Sequence, residues 1–294
     1  MSDETNLVFM VGTGRCGSTL AHELLCRNEN VGFISNIDDR FGALDLKGRY
    51  NSAVYRNLPF SFTLKGRVRF APSEAYKLIS RKTGIYAEPF RDLQKGDVTP
   101  WQRQLWRDFF HIRNQRQECT VFSHKYTGWS RIGYFAEIFP NARFVNIVRD
   151  GRAVCNSFLQ MPWWDGYSGP YKWIYGILPD EYKERWHAGG DKFHELAAYC
   201  WKILINSYST HHDLLQSGRL LEVRYEDLLD DHIGVMRDIC AFSNITVTEK
   251  FENQLSKQKI YSSRKNSYQY DLEPWQVSDI EEIIAPELQR YAYI

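Results

Sequence analysis

The chain predicts an α/β fold: a single P-loop-like domain over residues 1–294, with a central, mainly parallel sheet flanked by helices. Three observations carry that expectation. An apolar run at 7–11 ends in Gly12-Thr13-Gly14 and passes into a helical pattern. A second apolar run, at 144–148, does the same, and a third, at 219–225, is followed by helical segments to the end of the chain. Alternation of this kind places ligands at the carboxyl ends of the strands.

From Ser18 the pattern is helical to about Asn28, with Leu20, Leu24 and Leu25 on one face. Residues 31–34 read as a strand. Glycines, polar residues and weak periodicity make 36–70 irregular. Helices follow Pro72 over 73–81 and Pro100 over 101–115, the second proline at a first-turn site. Residues 120–123 form a short strand, 131–139 a helix stopped by Pro140, 151–159 a helix, and 191–216 one long helix. No repeat, low-complexity segment or linker interrupts this order.

Composition bounds the function. Hydrophobic residues at 43% and charged residues at 25% exclude a disordered or fibrous chain. At this length no disulfide or metal staple is needed to fold. Lys and Arg number 37 against 36 Asp and Glu, a net charge of +1, so no overall field draws the protein to nucleic acid or an anionic membrane. Any anion site has to be local. Cys16, Cys26, Cys119, Cys155, Cys200 and Cys240 lie far apart without metal-ligand spacing, which points to reduced thiols rather than structural zinc. The acidic N-terminus lacks a signal peptide's basic start and no apolar stretch matches a bilayer, so a cytoplasmic protein is expected. Aromatic residues, 15% of the chain, concentrate at 161–186, the composition of a cleft wall or lid.

Two segments carry chemistry. Gly12-Thr13-Gly14-Arg15-Cys16-Gly17-Ser18-Thr19 sits at the first strand–helix junction, where glycines let backbone N–H groups and a helix N-terminus surround an anion. The spacing nearly fits GxxxxGK[ST], but Ser18 stands at the lysine position and the cation has moved inside the loop, to Arg15. Backbone donors, hydroxyls and an interior arginine suit an anion that needs no metal. At the later junction Arg149 offers a bidentate guanidinium, Asp150 caps the helix, and Ser157 lies two turns along it. Alone, the first reads equally as a packed glycine turn and the second more readily as a surface ion pair with a buried serine; together they favour an anion site.

Residues 12–19 and 148–157 together resemble the donor-binding motifs of sulfotransferases that use 3′-phosphoadenosine 5′-phosphosulfate (PAPS). The first is similar to their 5′-phosphosulfate loop; the second, with its eight-residue step from Arg149 to Ser157, to their 3′-phosphate motif. Residues 139–152 are especially similar to tyrosylprotein and bacterial members, 223–228 (VRYEDL) to a common strand end, and 287–291 to the end of bacterial members. The resemblance runs from residue 7 to the end, loosely through the middle third. It implies transfer of the sulfuryl group of PAPS, in line and without a metal, to a hydroxyl or amine of a small-molecule or glycan acceptor. Segments 36–118 and 161–190 would be acceptor-side insertions. Gly14, Arg15, Cys16, Gly17, Ser18, Thr19 and Leu20 would hold the 5′-phosphosulfate. Arg149 and Ser157, with Arg264 and Lys265, would hold the 3′-phosphate, and Tyr225 would contact adenine. Arg15 would stabilise charge on the leaving oxygen.

The general base departs from the family pattern. Counted without a gap from Arg15, the glutamate of tyrosylprotein-type members falls on Asn36, whose amide cannot abstract a proton. Asp38 or Asp39 ranks first as its replacement and His124 second, followed by Glu74 and Glu88. Lys125 matches a family lysine that stabilises the transferring group, while Thr127 stands where small-molecule members keep histidine. Trp163, Trp164 and Asp165 are expected to wall the acceptor pocket and, with the two aspartates, to suit a cationic small molecule. Two other classes stay open: a nucleotide kinase or NTPase with a degenerate loop, which would need magnesium and ATP, and a non-catalytic nucleotide-binding protein.

Overall fold

A computed structural model describes residues 5–44, 47–58, 70–84, 89–172, 175–260 and 265–294. Strands β1 (Leu7–Val11), β2 (Val31–Gly32), β3 (Val121–Lys125), β4 (Arg143–Val148) and β5 (Leu220–Arg224) form one sheet in the order β2-β3-β1-β4-β5. Every pairing is parallel. The helices are α1 (Ser18–Leu25), α2 (Asn36–Arg40), α3 (Asn51–Asn57), α4 (Tyr76–Thr83), α5 (Pro100–Gln117), α6 (Ile132–Ile138) and α7 (Gly151–Leu159). They continue as α8 (Asp180–Ala188), α9 (Phe193–Ser209), α10 (His212–Gln216), α11 (Tyr225–Asp230), α12 (His232–Phe242), α13 (Glu249–Ser256), α14 (Tyr268–Asp271) and α15 (Pro274–Arg290).

Side-chain alternation along β1 explains why its whole run is apolar. Leu7, Phe9 and Val11 enter one core with Trp106, Phe110 and Phe144; Val8 and Met10 enter another with Leu24, Leu25 and Phe251. Phe9 stacks on Phe135 and Phe144 at 4.8 and 5.4 Å between ring centroids. A third core joins α7, α9 and α15 through Phe158, Trp201, Leu204 and Ile284. Covered on both faces, the sheet leaves its carboxyl edge as the place where loops after β1, β3, β4 and β5 meet.

The structure corrects two expected elements. Segment 36–70 was expected to be irregular, yet it holds α2 and α3. Ser35 caps α2, its hydroxyl accepting from the Asp38 N–H at 3.2 Å while the Asp38 carboxylate accepts from the Ser35 N–H at 2.8 Å. The helix expected over 191–216 is two, α9 and α10. The hydroxyls of Ser209 and Thr210 donate to the carbonyls of Asn206 and Ser207, where the chain turns off its axis. Within 161–190 a helix, α8, also forms. All six cysteines are free thiols. No helix among the described residues is long and apolar enough to cross a membrane.

Candidate functional site

A cavity of about 620 Å³ opens at the carboxyl edge of β1, β3 and β4. One end belongs to the glycine loop. Gly14, Arg15 and Gly17 all adopt left-handed backbone, with φ of +85°, +56° and +91°, which curls residues 14–17 around the start of α1. The loop is fastened from behind by Tyr208 of α9. Its hydroxyl accepts from the Gly12 N–H at 3.2 Å and lies 2.7 and 3.0 Å from the carbonyls of Gly12 and Gly128.

Gly17 is required twice over. Its φ penalises a side chain, and a Cβ there would stand 2.1 Å from Cδ2 of the Tyr225 ring. Gly17→Ala is expected to lower stability by about 1–2 kcal/mol or more, read as the shift in a urea denaturation midpoint. An unchanged midpoint would show that the loop relaxes freely.

The β4–α7 junction faces this loop. Asp150 caps α7 as the sequence indicates, accepting from the Arg152 N–H at 2.9 Å, and pairs with the Arg152 guanidinium at 2.7 Å. Arg149 donates to the Arg15 carbonyl at 3.0 Å and lies 4.9 Å from the centre of the Tyr225 ring. Arg15 reaches back across the gap, its Nε donating to Ser157 Oγ at 2.9 Å. Two motifs 134 residues apart are thereby brought to one crevice.

At the other end Lys125, on β3, donates from Nζ to Thr19 Oγ1 at 2.9 Å and to Glu74 Oε1 at 2.8 Å. Thr127 also donates to Glu74 Oε1 at 2.8 Å, and the Tyr76 hydroxyl lies 3.4 Å from Thr127 Oγ1. Burial pushes the Glu74 carboxyl up, but the Lys125 charge and the hydrogen bonds from Lys125, Tyr76 and Thr127 outweigh it and hold the group below its ordinary 4.5. Glu74 is therefore ionised at neutral pH beside the lysine that touches the phosphate-type loop. Tyr76, Trp129, Trp163 and Tyr175 supply flat walls.

Gly14, Arg15, Gly17, Ser18, Thr19, Leu20, Lys125, Arg149, Ser157, Tyr225 and Trp163 all line this cavity. Other expected residues do not. The Cys16 side chain is buried in the core, so only its backbone belongs to the loop. Asp38 is buried in the α2 capping box, accepting from Ser35 and from the Asn51 amide. Asp39 accepts from the Leu78 N–H at 2.9 Å and so anchors α4. His124 leaves β3 on the face opposite Lys125, against Phe110, and burial drives its pKa down to about 3. Trp164 is packed in the third core, and the exposed Asp165 borders a separate shallow depression beside it. Lys265 pairs with Asp230 at 2.7 Å. Arg264 and Glu88 lie outside the described residues. The sequence reading did not single out Glu23, Tyr76, Arg131, Tyr175 or Gln160, which line the cavity from α1, α4 and the loops after β3 and α7. Glu74, a lower-ranked candidate for the base, is placed in the cavity by its pairing with the buried Lys125.

Residues 8–249 match the model of a sulfotransferase family. Two curated relatives, the omega-hydroxy-beta-dihydromenaquinone-9 sulfotransferases Stf3 of Mycobacterium bovis and Mycobacterium tuberculosis, are each 24% identical over 311 residues, covering 97% of this chain and 75% of theirs. Among solved structures, sulfotransferase STF9 from Mycobacterium avium superposes with a TM-score of 0.62 at 16% identity, over 99% of this chain and 77% of that one. The sulfotransferase domain from the curacin biosynthetic pathway gives 0.54 at 13% identity, over 96% and 97%. At these identities the superpositions establish the fold.

Proposed function

The chain belongs to the sulfotransferase family, and we propose that it transfers the sulfuryl group of PAPS, without a metal, to a hydroxyl or amine of a small-molecule or glycan acceptor. One observation carries the donor assignment: Arg15 of the glycine loop and Arg149 with Ser157 of the second motif converge on one cavity, linked at 2.9 and 3.0 Å. A nucleotide with an anion at each end fits such a pair of guanidiniums, and the Tyr225 ring between the loop and Arg149 offers its base a face. A kinase-like reading lacks the loop lysine, since Ser18 holds its place.

PAPS, when bound, supplies a sulfuryl group open to in-line attack and a leaving phosphate that gathers charge. The residues supply the rest. Backbone N–H groups of the loop and the Arg15 guanidinium hold the developing charge. Lys125, shared between Thr19 and Glu74, presents a further cation between the loop and the acceptor end. Glu74 takes the acceptor proton; Asp38, Asp39 and His124 are engaged elsewhere. Trp163 and the neighbouring rings give that end apolar walls.

Arg149→Ala is expected to weaken binding of adenosine 3′,5′-bisphosphate by about 2–5 kcal/mol, measured by calorimetry; an unchanged Kd would remove Arg149 from the phosphate site. Transfer itself is tested by incubating protein, PAPS and a panel of alcohols, phenols and amines with a chelator present. Sulfated product is expected. Product formed only when magnesium is restored would contradict the metal-free mechanism.

A further inference from the structure

Glu23 stands apart from the other charged groups of the cavity. It lies one turn beyond Thr19 on the same face of α1 and lines the wall with Leu20. Its carboxylate makes no hydrogen bond or ion pair among the described residues; only its main-chain carbonyl is engaged, accepting from the Tyr55 hydroxyl at 3.2 Å. Nearby cations are committed elsewhere. Lys125 serves Thr19 and Glu74. Arg27 donates to the carbonyls of Tyr55 and Leu58 and lies 3.9 Å over the Tyr55 ring. Arg131 donates to the carbonyls of Trp129 and Thr127 and lies 4.7 Å over Tyr126. Burial lifts the Glu23 carboxyl to about 7 against the opposing pull of Lys125 and Arg27, as befits a carboxylate short of a counter-charge.

Resting on the sulfotransferase reading, we infer that Glu23 selects the acceptor: its carboxylate seats an ammonium group carried by the molecule whose hydroxyl is sulfated. Glu74 is already matched by Lys125 and two hydroxyls, so of the two carboxylates that line the cavity Glu23 is the one left to pair with a ligand. Tyr76, Trp129, Trp163 and Tyr175 line the same cavity, and aromatic rings attract a cation through their π-systems. The acceptor class is an amino alcohol or aminoalkyl phenol, and a neutral diol of the same shape leaves the carboxylate unpaired.

The test compares tyramine with tyrosol, its neutral isostere, by calorimetry on protein loaded with adenosine 3′,5′-bisphosphate at about pH 8, where amine and carboxyl are both charged. Tyramine is expected to bind about tenfold or more tighter. The gap should vanish in Glu23→Gln and persist in Glu23→Asp, with bisphosphate loading the same in all three proteins. Equal binding of the two probes, binding of neither, or a gap that survives Glu23→Gln overturns the inference while leaving the donor assignment standing. Failure of the bisphosphate to load overturns the donor reading and this inference with it.

Discussion

Replacing Arg15 with alanine is expected to lower kcat by about a hundredfold or more, the usual cost of losing one donor to transition-state charge. The left-handed backbone at Arg15 turns its side chain across the crevice to Ser157, and Arg149 holds its carbonyl in place. Alanine removes the guanidinium but leaves Gly14, Gly17 and the Tyr208 fastening, so the denaturation midpoint should barely move. Arg15→Lys keeps a charge without the planar fork and should fall between the two. Near-normal kcat in Arg15→Ala would take the residue out of the chemistry.

Glu74→Gln is expected to reduce kcat by about a hundredfold to ten-thousandfold, the span of a general base. The amide keeps the shape and still accepts from Thr127, but it leaves Lys125 without its anion. The pH profile separates Glu74 from Glu23. A carboxyl with a depressed pKa stays ionised until pH falls through that value, so base activity is present above it and lost below. Glu74 therefore places the acid limb of kcat below its ordinary 4.5. A limb centred near 7 would instead report Glu23, whose carboxyl is raised to that value, and would assign the base to α1.

The crevice proposed for the donor was legible in the sequence because both motifs that form it are local. An apolar run, a glycine turn and a helix start announce each strand–helix junction, and Arg15, Arg149 and Ser157 sit at fixed steps from them. The acceptor end was not, because its members come from distant segments. Glu74 meets Lys125 across 51 positions, and no periodicity marks that pairing. Ser35-Asn36-Ile37-Asp38 is a helix-start pattern, and the Asp38 carboxylate, expected as a base, is spent on the cap. His124 and Lys125 are neighbours on a strand, so placing Lys125 in the site already turns His124 away. That Trp163 lines the cavity while Trp164 is buried depends on how an irregular loop packs, which no residue spacing encodes.

The most direct test is the thermal shift produced by adenosine 3′,5′-bisphosphate against ATP, each with magnesium and with a chelator. A ligand that binds only the folded protein at a hundredfold excess over its Kd adds about 2.7 kcal/mol. Adenosine 3′,5′-bisphosphate is predicted to raise the midpoint equally with and without magnesium, and ATP to do far less. A larger shift from ATP that depends on magnesium, or no shift from the bisphosphate, would contradict a crevice in which Arg15 and Arg149 hold the two ends of one nucleotide.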